Sequence, residues 1–186
     1  MNLTILTGDI VDCQVDAIVN AANPTLLGGG GVDGAIHRAA GRGLRQWILE
    51  NVPEALPGMR CRVGKAVASP GAGLPGSRLK ATHIIHTVGP IFPGGGGGRP
   101  GKPLLGHEAA AQELRGSILA VLRVAEGLGV KTLAFPAISC GVFGGSIEVF
   151  AKQMALALGG RDWPFDEVQV VLFSDADRGA FEAALA

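Results

Sequence analysis

The chain has 186 residues, is 47% hydrophobic, and carries 16 Lys plus Arg against 16 Asp plus Glu, a formal net charge of zero. That length and apolar content exclude a disordered chain and suit one domain over residues 1–186 with one substantial core. The balanced charge argues against a broad nucleic-acid face and leaves any anion site to backbone N–H groups more than to Lys or Arg.

Leu3-Thr4-Ile5-Leu6 reads as a first strand, ended by Thr7-Gly8-Asp9. Ala17-Ile18-Val19-Asn20 reads as a second, short and apolar without alternation, the pattern of a strand covered on both faces. Asn23-Pro24 breaks it, four glycines follow, and residues 32–40 read as a helix that Gly41 ends. A second helix is expected over residues 44–51, with Leu44, Trp47 and Ile48 on one face. Residues 65–69 and 83–88 are strand candidates, and residues 91–103 form a long Gly/Pro loop. The longest helical pattern covers residues 108–126, with Leu114, Ile118, Val121, Leu122 and Ala125 at helical spacing. Residues 132–136 read as a buried strand, 146–158 as a helix and 168–173 as the last strong strand. Asp175 or Asp177 is the expected cap of a final helix running towards Leu185. Alternation of strand and helix through the second half predicts a sheet with helices on both faces.

In such sheets ligands sit at the carboxyl ends of strands. Three polar or Gly-rich segments follow predicted strands there: Gly8-Asp9-Ile10, residues 20–34 and residues 139–145. The run Gly28-Gly29-Gly30-Gly31-Val32-Asp33 leads into a helix and can aim several N–H groups at a phosphate; a flexible surface loop is the other reading. It is neither a Walker A motif nor a dinucleotide fingerprint. Ser139-Cys140-Gly141-Val142-Phe143-Gly144-Gly145 also joins a buried strand to a helix, so a diphosphate held between two such loops, or a simple turn, fits it. Asn20 and Asn23 suit a ribose hydroxyl pair, and local turn bonding suits Asn23 equally. Asp33 either caps the helix or orients a water. Asp9 is a turn residue or an acceptor for an adenine amino group; Phe173 stacks on a base or packs in the core.

Other polar residues count for less. His37 shares a helix face with Asp33, four residues earlier, but one His is not a metal site. His83 and His86 point to opposite faces of a strand and form no ligand pair. Cys140 lacks a His partner in sequence, and Ser139 lacks a nucleophile elbow. Cys13, Cys61 and Cys140 form neither a disulfide framework nor a zinc pattern, which predicts a reducing compartment. No signal peptide is evident, and no stretch approaches the roughly 20 apolar residues of a membrane span, so a cytoplasmic protein is expected.

These residues carry a family resemblance. The chain resembles a macrodomain of the ADP-ribosylhydrolase and O-acetyl-ADP-ribose deacetylase type along nearly its whole length. The matching stretches are Gly8-Asp9-Ile10, Val15-Asp16-Ala17-Ile18-Val19-Asn20-Ala21-Ala22-Asn23, residues 28–40, His86-Thr87-Val88-Gly89-Pro90, and Phe135-Pro136-Ala137-Ile138-Ser139-Cys140-Gly141. The resemblance implies a three-layer α/β/α sandwich with a mixed central sheet. It implies that Asp9 and Ile10 meet adenine, with Phe173 stacking on it, and that Gly30, Gly31, Val32 and residues 139–144 hold the diphosphate and distal ribose. Asn20 would shape the site near that ribose, Asn23 would orient the ribose, and Asp33 would act on or position a water. The implied reactions release ADP-ribose from esters with acidic side chains of proteins, or acetate from O-acetyl-ADP-ribose, with no metal and no cofactor. A non-catalytic ADP-ribose reader shares the same pocket and is the alternative; a monomer without membrane or nucleic-acid partners is expected.

Two departures bear on rate. Hydrolases of this type often carry Tyr where this chain has Phe143, so a hydroxyl is missing and slower or retuned chemistry is expected. Cys140 stands where Thr is common. Gly94 through Gly98 predict an unusually mobile neighbouring loop.

Overall fold

The structure is a computed structural model describing residues 1–96 and 105–186; residues 97–104, in the Gly/Pro loop, lie outside the described residues. Six strands form one sheet: β1 (Asn2–Thr7), β2 (Ala17–Ala21), β3 (Ala66–Pro70), β4 (His83–Thr87), β5 (Thr132–Pro136) and β6 (Glu167–Leu172), ordered β1-β6-β5-β2-β4-β3. All neighbours pair in parallel except the edge strand β3, which runs antiparallel to β4. The sheet is therefore mixed.

Helices α1 (Gly31–Ala40) and α2 (Arg42–Asn51) cover one face. Helices α3 (His107–Leu128), α4 (Ile147–Gly159) and α5 (Asp175–Leu185) cover the other. The result is the three-layer α/β/α sandwich with a mixed central sheet. The two cores divide the strands by alternation: Ile18 and Ile84 face α1 and α2, whereas Val19 and Ile85 face the α3 side. Both sets are fully buried, which is why Ala17-Ile18-Val19 of β2 and Ile84-Ile85 of β4 are apolar on both faces. The predicted face of α3 holds, with Leu114, Ile118, Val121, Leu122 and Ala125 all buried.

Three local details differ from what the sequence predicts. The last helix is capped by Ser174, whose side chain accepts from the Asp177 N–H, and not by Asp175 or Asp177. Strand β6 stops at Leu172, so Phe173 lies beyond it. A 3-10 turn, Ile10–Asp12, unforeseen from periodicity, follows β1; Asp9 caps it by accepting from the Val11 N–H.

The topology fixes where a ligand can enter. From β2 the chain crosses on the α1/α2 side to β3 and β4, then returns through α3 to β5 on β2's other flank. This reversal is a switch point, where open parallel sheets leave a crevice beyond their carboxyl ends. The strands themselves widen it. β2 and β5 pair only at Ala17–Leu133 and Ile18–Ala134, whereas β2 pairs with β4 over all of Ala17 to Ala21.

Candidate functional site

Asn20, near the end of β2, is fully buried and faces α1. Its Nδ2 donates to Asp33 Oδ1 at 2.7 Å and lies 3.0 Å from His86 Nδ1. The register explains the second contact, because Asn20 is the direct partner of His86 on β4. His86 Nε2 lies 2.9 Å from Ser69 Oγ on β3, and that hydroxyl donates to the Pro70 carbonyl. A line of polar groups thus crosses three strands beneath α1.

Asp33 is inside because it falls on the buried stripe of α1, three residues before Ile36 and seven before Ala40. It is not the helix cap: Gly30 occupies that position and offers no side chain. Asp33 Oδ2 is buried without a hydrogen-bond partner among the described residues. A Cβ placed on Gly29 would stand 3.0 Å from this oxygen, so a glycine roofs it. Burial raises the Asp33 pKa above the usual carboxylate range, opposed by the Asn20 hydrogen bond and by His37. His37 Nε2 stands 3.5 Å from Asp33 Oδ1, close enough for electrostatic coupling but without a hydrogen bond. Burial lowers the His37 pKa, Asp33 opposes this, and Arg45 adds to it. His86, completely enclosed, is pushed down to about 3 by burial and secondarily by His37.

Asn23 is spent on its own loop. Its Oδ1 accepts from the Thr25 N–H and hydroxyl, and its Nδ2 donates to the Gly28 carbonyl. That is the turn role foreseen for it, yet its Nδ2 also lies 3.1 Å from a Cβ built on Gly29, against the free Asp33 oxygen. The loop then enters α1 with Gly31 in the left-handed region, φ 57°, a conformation an L side chain rarely adopts. Gly29, Gly30 and Gly31 are exposed, and the N–H groups of residues 29–33 find no acceptor among the described residues. They crown a helix start, where the backbone dipole also favours an anion.

The loop after β5 is built differently. Ser139 takes φ 68°, is buried, and its Oγ donates to the Pro90 carbonyl. The Phe92 N–H donates to the Phe143 carbonyl at 2.8 Å, and the Gly96 N–H to the Val142 carbonyl at 2.6 Å. This fixes part of the glycine run expected to be mobile, since Gly94 to Gly96 lie against residues 142–144; Gly97 and Gly98 lie outside the described residues. The Gly141, Val142 and Phe143 N–H groups have no acceptor among the described residues, and Val142 is 75% exposed. Cys140 is an unsuitable nucleophile: burial, then Asp177 and Glu148, push its thiol up to about 12.

At the same end of the sheet, Ile10 is buried while Asp9 is exposed beside it. Phe173 is 94% exposed, which removes the core-packing reading. Nothing in the sequence assigns a site role to His86 or singles out Ser69, because only strand register connects them to Asn20. His37 was discounted, although its spacing from Asp33 was visible. Among the described residues no group of three or more His, Cys, Asp or Glu side chains is placed to hold a metal ion. No described helix is long and apolar enough to cross a membrane. Two hollows of about 470 and 390 Å³ lie elsewhere, one along α2 and one beside Arg115, Arg123 and Trp163.

Comparison with known proteins agrees with this geometry. The macro domain family matches residues 19–154. A macro domain-containing protein of Xanthomonas axonopodis pv. citri is 38% identical, covering 100% of this chain and 96% of its own. The rat ADP-ribose glycohydrolase MACROD1 is 38% identical, over 98% of this chain and 64% of that protein. An O-acetyl-ADP-ribose deacetylase of Enterobacter sp. is 45% identical, over 76% of this chain and 68% of its own. Among solved structures, a variant of the Oceanobacillus iheyensis macrodomain with ADPR superposes with a TM-score of 0.80 at 32% identity, covering 97% of this chain and 90% of that one. With family match, sequence identity and overall fold in agreement, this chain belongs to the macrodomain family.

Proposed function

We propose that this protein binds ADP-ribose and hydrolyses its esters, releasing ADP-ribose from mono-ADP-ribosylated acidic side chains of proteins, acetate from O-acetyl-ADP-ribose, or both. The observation that carries the reading is Asp33. One carboxylate oxygen is held by Asn20, and the other is buried, without a hydrogen-bond partner among the described residues, and lies beside Gly29. A buried acceptor left without a donor costs stability, so a fold that keeps one has a use for it. A water or a ribose hydroxyl is the donor that completes it.

In this reading the diphosphate lies on the open N–H groups of Gly30, Gly31 and Val32 and on those of Gly141, Val142 and Phe143, while Ser139, Cys140 and Gly144 shape the second loop around it. Neutral donors suit a protein of zero net charge. Asp9 and Ile10 receive adenine, Phe173 stacks on its outer face, and Phe143 packs against the distal ribose. Asn23 orients that ribose, and Asn20 holds Asp33. Asp33 takes or directs the proton of a water that attacks the ester, and the products are a carboxylic acid and a free hydroxyl. No metal enters the sequence.

The test compares wild type with Asp33→Ala on an acidic-residue ADP-ribosylated protein and on O-acetyl-ADP-ribose, with ADP-ribose titrated into both proteins. Turnover is expected to fall on the order of 10²–10⁴-fold with binding retained. A wild type that binds ADP-ribose yet releases nothing from either substrate is a reader, and the catalytic assignment is then wrong. The pH profile gives a second check. Asp33 must be ionised to accept a proton, so kcat/KM falls as pH drops through its raised pKa, at higher pH than for an ordinary aspartate. The same shift has the opposite sign for stability. A group whose folded pKa is raised contributes stability at low pH that is lost as pH rises through that pKa. Asp33→Asn is therefore expected to melt no lower than wild type at pH 7, while losing turnover.

A further inference from the structure

The Asn20 amide poses a question that Asp33 alone does not answer. Its Nδ2 meets both Asp33 Oδ1 and His86 Nδ1, whereas its Oδ1 is buried with no partner. The orientation of the amide is thus set by the neighbours of its nitrogen, not by any donor to its oxygen. Two hydrogens on one nitrogen serve two acceptors only if His86 Nδ1 is bare. The hydrogen of the neutral ring then sits on Nε2 and donates to Ser69 Oγ, and the Ser69 hydroxyl donates onward to the Pro70 carbonyl. Every hydrogen in the line then has one acceptor, and from Asn20 through His86 and Ser69 to Pro70 the donation runs in one direction. Were the hydrogen on Nδ1, the amide would have to turn over. Because both contacts use the same atom, turning it sets Asn20 Oδ1 against the Asp33 carboxylate, acceptor against acceptor.

We propose that His86 and Ser69 are positioning residues: Ser69 selects the His86 tautomer with hydrogen on Nε2, and His86 fixes the Asn20 amide so that it keeps a donor on Asp33. The proposal rests on the hydrolase reading for its kinetic consequence, though not for its geometry. The ionisable groups facing these residues are Asp33 and His37 from α1, with the rings of His37 and His86 6.3 Å apart, and Arg45 from α2, which acts on His37. From β3 the facing group is the neutral Ser69. Burial keeps His86 neutral through the working range, so the line holds its direction as the outer groups titrate.

The test uses Ser69→Ala, Ser69→Thr and His86→Phe. Ser69 touches neither Asn20 nor Asp33, so a merely structural role moves its melting temperature without moving the titration of Asp33. With Ser69→Ala or His86→Phe the acid limb of kcat/KM is expected to move to higher pH, a loss of about three- to tenfold on the falling limb that vanishes on the plateau above it. Ser69→Thr keeps the hydroxyl and is expected to return the limb to its wild-type position. An unmoved limb in both disruptive variants overturns the proposal. Nitrogen NMR of His86 in the wild type reads the tautomer directly, whether or not the variants fold: a bare Nδ1 supports the line, and a protonated Nδ1 overturns it. Carbon NMR of the Asp33 carboxyl, assigned by difference with Asp33→Asn, gives the same pKa comparison without turnover. A wild type that hydrolyses nothing would therefore sink the hydrolase reading while leaving the positioning role to be decided by that titration.

Discussion

The two glycine-rich loops flanking the crevice offer the same chemistry and are built in opposite ways. Residues 28–31 leave their N–H groups open and rest on little besides the helix they start and the Asn23 side chain that holds Gly28. Residues 139–145 are tied to a second loop, with the Val142 and Phe143 carbonyls taken by Gly96 and Phe92 and the Ser139 hydroxyl by Pro90. In the first loop glycine provides conformation and access. In the second it provides room for one backbone to lie on another. Substitutions should therefore damage different properties in the two loops: function in the first, folding in the second.

The largest effect is expected at Gly144. It takes φ 73°, and an added Cβ would stand 2.7 Å from Gly95 Cα and 2.9 Å from Gly95 N, backbone atoms that cannot swing aside. Left-handed strain and overpacking together give Gly144→Ala a cost of about 2–5 kcal/mol. For a chain of this size that lowers Tm by roughly 5–15 °C, measured by thermal unfolding. An unchanged Tm would mean that the two loops are not tied together. Gly29→Ala makes the contrast. Gly29 is exposed and its φ is not positive, so stability should hardly move. Its Cβ, however, meets Asp33 Oδ2 at 3.0 Å and Asn23 Nδ2 at 3.1 Å. Turnover is expected to fall about tenfold or more at unchanged Tm, since small misplacements at a reacting centre are costly. A Gly29→Ala protein that turns over normally would separate the first loop from the chemistry.

Most of the fold could be read from the chain because its signals are local. The apolar runs of β2 and β5 and the helical stripe of α3 have single periods, and the sequence block from Val15 to Asn23 followed by residues 28–40 marks the family. What escaped depends on pairing between distant residues. His86 matters because strand register sets it opposite Asn20, and Ser69 because β3 turns back antiparallel beside it. Read along the chain, His86 is one of three polar residues in β4, with His83 and Thr87, and nothing local distinguishes it. The cap at Ser174 was missed for a smaller reason: an acidic residue next to a serine satisfies the same rule, and geometry chooses between them. Phe173 was ambiguous until the end of β6 was fixed, since one residue further inside the strand would have buried it.

The smallest expected effect tests whether the second loop is more than a scaffold. Phe143 is half-buried, and its backbone is held by the bond from Phe92, so the direction of its ring is set by the tied loop. Phe143→Tyr adds one hydroxyl at the ring's outer end and nothing else. If that end faces the distal ribose, the hydroxyl gains a hydrogen bond to the reacting sugar, worth about 0.5–1.5 kcal/mol. Realised in the transition state alone, this raises kcat about two- to tenfold; realised equally in bound substrate, it lowers KM and leaves kcat unchanged. Either result, at unchanged Tm, gives the second loop a part in the reaction as well as in the fold. If neither constant moves, the ring points away from the ribose, and the second loop's part in binding is confined to its backbone N–H groups.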